Sequence, residues 1–213
     1  MAFRALPILL ISFTAFLAIG LGNLGLFILF FGQAVLVPIV TELTHYVTAK
    51  AFPQGGMGTS AFIAGSDVVQ LVPSLSSRAP TNIMPSYWME HVLFFLGYLL
   101  ANGVAILTLP AEDQKGLSEY LVENRKAKAK AVITVTVLAA VVLAGLRMSL
   151  TGAETYRGIA VAVVTGGALG YGWYQFAALC GARHADVFGV VPTILPASAK
   201  DEKPMTCVYA PKA

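Results

Sequence analysis

The chain has 213 residues, 57% of them hydrophobic and 12% charged, with a formal net charge of +3. A soluble domain carries roughly 25% charged residues, so this composition excludes an ordinary soluble fold and points to a polytopic membrane protein. The bases are spread along the chain and not clustered among aromatics, which excludes a direct nucleic-acid site. Cys180 and Cys207 have no zinc-type spacing and form no framework, so they read as reduced thiols.

After Arg4 no formal charge appears until Glu42. A signal peptide has an apolar core of roughly 7–15 residues, so this run is too long for one and is read as a membrane span. It also exceeds the ~20 residues that cross a bilayer, and so must tilt or break. The span is placed at 7–31, with Gly32 and Pro38 as break points and a kinked continuation through Tyr46. Asn23 and Gln33 within it are expected to face other helices, because an unpaired amide in hydrocarbon is costly.

Residues 47–86 form a loop punctuated by proline and glycine. Its apolar stretches suit a membrane surface or a partner protein better than free solvent. The second span, 87–109, opens on Pro85-Ser86-Tyr87-Trp88-Met89-Glu90-His91, where Tyr87 and Trp88 read as interfacial anchors with apolar rings and one wet edge. A charged connection follows with acids first and bases last, leading into a third span at 131–150, and Arg147 is expected to snorkel to the interface. The fourth span, 158–182, is rich in glycine. Gly166 and Gly170 lie four apart, as do Ala168 and Gly172, the spacing that lets a second backbone approach closely. Trp173 and Tyr174 read as a second aromatic belt, and 183–213 is an extramembrane tail too short for its own core.

The expected fold is thus all-α, with a four-helix transmembrane domain over 1–182 and one long loop between the first and second spans. Four spans place both termini on one side. That side and the 111–130 connection hold ten of the 14 lysines and arginines, so the positive-inside rule puts the termini in the cytosol.

The sharpest chemical grouping is Glu42-x-x-His45 with Glu90-His91, all expected at one membrane face. Glu-x-x-His is half of the ligand set of a di-iron bundle, and the further carboxylates that set requires are not in place. The four residues are therefore read as helix-end polar groups, with no metal, no cofactor and no catalytic residue expected. A membrane-embedded metalloenzyme, the third reading, would use these four, with only Asp67 and Glu154 to recruit as further carboxylates. No nucleophile elbow, phosphate loop or dinucleotide fingerprint is present. His184 and Asp186 read as a juxtamembrane surface pair.

Three stretches together carry a resemblance: 85–95 (PSYWMEHVLFF), 151–155 (TGAET), and 170–174 (GYGWY) with 186–190 (DVFGV). The pattern resembles small multi-pass proteins of the internal virion membrane of large icosahedral double-stranded DNA viruses, such as the chlorella viruses. What the resemblance implies is a structural role without enzymatic activity, anchoring an internal membrane derived from host endoplasmic reticulum to capsid or minor capsid proteins. Its partners would be the lipid bilayer, those proteins and other membrane helices. A small transporter or channel subunit is the alternative, although Asn23, Gln33 and Asn102 make a thin polar set for an ion path.

Overall fold

The computed structural model describes residues 5–51, 85–108, 119–151 and 154–182. Among these the chain is entirely helical, and three helices are long and apolar enough to cross a membrane: Leu24–Thr48, Tyr87–Leu107 and Lys126–Ser149. The loop expected at 47–86 lies mostly outside the described residues. The tail from 183, with His184, Asp186 and Cys207, lies wholly outside them.

The first apolar run is not one span. Helix α1 (Leu6–Leu21) carries Pro7 in its first turn, where a missing N–H is harmless, and stops at Gly22 with φ +59°. Asn23 then caps α2 (Leu24–Phe31), its side-chain oxygen accepting from the Gly25 N–H at 2.8 Å and the Leu26 N–H at 3.3 Å. The chain reverses at this pair. Thr14 and Gln33 are 19 residues apart, and a continuous helix would separate them by about 28 Å. Their side-chain oxygens are instead 3.2 Å apart. The single span expected at 7–31 is therefore two antiparallel helices, because Gly22 supplies a left-handed stop and Asn23 a start within an unbroken hydrophobic sequence. The structural hydrogen bonds expected of Asn23 include those of this cap.

Gly32 and Pro38, expected to break the chain, do not end the helix. A widened π turn, Gly32–Leu36, precedes α3 (Val37–Ala51), and the Val37 N–H reaches back to the Gly32 carbonyl. The widening comes just before Pro38, which lacks an N–H for the regular ladder. At 1.5 Å per residue α1 spans about 24 Å and 24–51 about 42 Å, against ~30 Å of hydrocarbon.

Helix α4 (Tyr87–Leu107) is the axis of the bundle. Ser86 caps it, accepting the Met89 N–H at 3.2 Å, and its first thirteen residues are all buried. The other helices surround it. Helix α5 (Glu119–Thr151) starts twelve residues before the expected 131 and runs antiparallel to α4: Gly103 lies against Ala129 and Ile133 near one end, and Trp88 against Arg147 near the other. Its outer face exposes Val135, Leu138 and Val141, as suits a helix facing lipid.

The last segment, 156–182, runs parallel to α4. Thr155 caps α6 (Tyr156–Ala162), accepting the Gly158 N–H at 3.1 Å; a π turn, Val163–Gly167, leads to α7 (Ala168–Ala177), and a final turn, Ala178–Ala182, contains Gly181 at φ +94°. The fourth span expected at 158–182 is thus an uncharged helical segment that is not one regular helix, with a π turn at Val163–Gly167 and a non-helical residue at Gly181.

Two ends result. The first holds the C-terminal part of α3, the start of α4, the end of α5 and the start of α6. The second holds the Gly22-Asn23 reversal, the end of α4 and residues 178–182, with Gly25 packed 3.7 Å from the Ala182 methyl carbon if given a Cβ. Since α1 runs back from that reversal, Ala5 and Ala182 lie toward opposite ends of the bundle.

Candidate functional site

The densest collection of polar side chains lies at the first end, around the start of α4. The antiparallel pairing of α3 with α4 sets Glu42 opposite Tyr87, whose hydroxyl donates to the Glu42 carboxylate. His45 stands opposite Pro85, with Nε2 donating to that carbonyl at 2.6 Å, and packs edge-on against the Tyr87 ring at 5.2 Å. One turn deeper, Glu90 and His91 point to different neighbours. The Thr165 hydroxyl donates to Glu90 Oε1, while Oε2 occupies the space that a side chain at Gly166 would need. His91 donates from Nδ1 to the Tyr87 carbonyl at 2.8 Å.

Glu90, His91 and Arg147 are each no more than 1% exposed, and Glu154 is 5% exposed. Arg147 does not snorkel: its guanidinium lies over the Trp88 ring at 5.1 Å, held inside by the close α4–α5 packing. Glu154 accepts from the Ser86 N–H at 3.4 Å and fills the space beside Gly158. The acid–histidine pairs therefore share one end of the bundle but not one centre. Among the described residues no group of three His, Cys, Asp or Glu side chains converges to hold a metal ion.

The glycine stripe divides by face. Gly166 and Gly170 point at α4, and a Cβ at Gly170 would overlap the Phe94 carbonyl and come within 2.9 Å of the Tyr98 nitrogen. Ala168 and Gly172 turn outward and are exposed. The complementary glycine on α4 is Gly97, whose Cβ would overlap the Gly167 carbonyl, and Gly32 is similarly crowded by Phe94 and Trp173. Gly97 is missed when only one helix is scanned for small residues. Its seven-residue offset from Glu90 on the same face is the signal that could have found it.

The four expected interfacial anchors are interior residues. Tyr87, Trp88 and Tyr174 are buried; Trp173 is partly buried and donates from Nε1 to the Ile28 carbonyl at 2.7 Å. Tyr174 meets Tyr98 edge to face at 5.3 Å and accepts from Asn102 at 3.4 Å, while the Tyr98 hydroxyl donates to the Gly25 carbonyl at 2.9 Å. The reason is the central position of α4: its own Tyr87 and Trp88 meet other helices whatever their depth, and Tyr174 of α7 is buried where α7 packs against it, while Trp173 turns to α2. The outward tyrosines at the first end are Tyr46 and Tyr156, with Lys50 lying over the Tyr46 ring at 4.2 Å.

These groups tie helices together. Thr165→Val leaves the buried Glu90 without its hydroxyl donor and is expected to lower stability by about 1–2 kcal/mol, with Thr165→Ser near wild type. Unfolding in mixed detergent micelles measures both. Comparison with protein-family models, with curated proteins and with solved structures gives no match to this chain.

Proposed function

We propose that this protein is a structural component of a bilayer, a helical bundle that fixes partner proteins to a membrane, and that the membrane is the internal one of a large icosahedral virus. The observation that carries the structural part is how its buried polar groups are used. Tyr87 with Glu42, His45 with Pro85, Thr165 with Glu90, Tyr98 with Gly25 and Trp173 with Ile28 each join two segments packed side by side. Such ties hold one arrangement and suit a scaffold. The viral part rests on the resemblance carried by 85–95, 151–155 and 170–174 with 186–190. Recovery of the chain at fixed stoichiometry in purified particles, retained with the membrane after capsid removal, supports this reading; its absence from particles refutes the viral assignment.

The orientation we infer rests on how the bases divide between the two sides. If every apolar segment crosses, α1 included, the stretches of sequence on the side of the second end carry nine of the 14 lysines and arginines (Lys115, Arg125, Lys126, Lys128, Lys130, Arg183, Lys200, Lys203 and Lys212), and those on the side of the first end carry Arg4, Lys50, Arg78, Arg147 and Arg157. Nine bases against five place the second end and the C-terminus in the cytosol and the N-terminus across the membrane.

A small transporter or channel subunit is the second reading. It is favoured by Glu90, His91, Glu154 and Arg147, ionisable groups buried within the bundle. Conductance or uptake in proteoliposomes that is lost in Glu90→Gln would establish it over the scaffold.

A further inference from the structure

We propose that the second end of the bundle binds the anionic headgroups of the surrounding lipid through Lys126, Lys128 and Lys130 of α5. This rests on the reading that α5 crosses a bilayer. All three lysines are exposed, whereas Ala129 between them is buried against α4, where the absence of a side chain at Gly103 lets the two helices approach. One side of α5 is therefore fixed to the bundle and the lysines fan out from the rest. The apolar stretch able to cross the membrane begins at the same residue, Lys126–Ser149. The ammonium groups then lie at headgroup depth, with their methylene stems along the apolar surface.

Charge in the bundle is segregated. Glu42, Glu90 and Glu154 all lie at the first end. At the second, the last turn of α1, the first turn of α2, the last turn of α4 and residues 178–182 contain no carboxylate. The nearest acidic side chain among the described residues is Glu123, on α5 itself. Among the described residues no neighbouring helix offers the lysines a carboxylate, and Glu123 is one acid against three bases, so most of their counter-charge is left to be supplied from outside the bundle. A bilayer supplies phosphate at that depth, and lipids with net negative headgroups supply most. Lysine suits this role as a mobile point charge that needs no fixed hydrogen-bond geometry.

The test uses the full chain reconstituted in phosphatidylcholine vesicles containing a trace of spin-labelled phosphatidylserine or spin-labelled phosphatidylcholine. The fraction of motionally restricted probe reports the lipid shell. The wild type is expected to favour the phosphatidylserine probe several-fold, up to about fivefold per lysine at low ionic strength. The preference should shrink in high salt, disappear in K126Q/K128Q/K130Q and persist in K126R/K128R/K130R. Equal restriction of both probes by the wild type overturns the proposal, as does a preference unchanged in the glutamine variant. Release of the serine lipid by a duplex DNA oligonucleotide at the same ionic strength would assign the lysines to nucleic acid instead. Extraction of the chain from the vesicles by alkaline carbonate would overturn the membrane reading as well, whereas firm retention without lipid preference overturns the headgroup site alone.

Discussion

Gly170→Leu is expected to prevent assembly of the native bundle, while Gly172→Leu, two residues further on, is expected to be near neutral. The contrast follows from which way each position faces. At Gly170 even a methyl group overlaps the Phe94 carbonyl, which is helix backbone and cannot rotate away; at Gly172 nothing lies within 4 Å of the added carbon. Overpacking in a core costs about 1–3 kcal/mol where side chains can adjust, and here α4 itself would have to shift. Because α4 is the axis, that shift would also disturb its contacts with α2 and α5. Unfolding by increasing SDS mole fraction, with size-exclusion behaviour as a second readout, should show loss of the folded state for Gly170→Leu. Equal behaviour of the two variants would mean that α7 does not pack on α4 as described.

Joining α1 to α2 is expected to move the N-terminus to the other side of the membrane. The reversal depends on two residues, Gly22 in the left-handed region and Asn23 as the cap of α2. Replacing both with leucine puts a side chain where φ is +59°, at about 1–2 kcal/mol, and removes the cap, at about 1 kcal/mol more. The continuous apolar helix that replaces the hairpin crosses once. Protease protection of an N-terminal tag in sealed vesicles should then change state between wild type and Gly22→Leu/Asn23→Leu, and unchanged protection would show that these residues do not set the turn. The effect is large because the alternatives are discrete: the hairpin and the long helix put the N-terminus on opposite faces.

The spanning parts of α4 and α5 were legible in the sequence because each helix contains a charge-free run, 92–107 in α4 and 131–146 in α5, although the charged first twelve residues of α5 were not expected as part of the span; the approach of Gly166 and Gly170 to another backbone could be anticipated from their spacing. The hairpin was hidden because glycine and asparagine are unremarkable in a membrane helix, and only the backbone angle of Gly22 and the hydrogen bonds of Asn23 reveal a stop and a start. Pro38 looked like the stronger breaker, yet a π turn absorbs its missing donor. The roles of Tyr87, Trp88, Trp173 and Tyr174 were hidden for another reason. An aromatic next to an apolar run has the same sequence signature at an interface as in a helix contact, and what decides between them is whether the helix is central or peripheral. The same holds for Arg147, which finds the face of Trp88 in place of water. Composition gives the class of fold; the position of α4 within the ring of helices decides which of its polar residues are buried.

The chain reverses at Gly22-Asn23, and the proposed topology, in which α1 and 156–182 cross as well as the three longer helices, puts the termini on opposite faces of the membrane. Single cysteines placed in turn near Arg4 and near the C-terminus of a variant lacking Cys180 and Cys207, probed with a membrane-impermeant thiol reagent in sealed, oriented vesicles, test it directly. Labelling of the two termini from opposite faces is expected, the C-terminal site from the cytosolic one. Labelling of both from the same face would contradict it and restore an even number of spans.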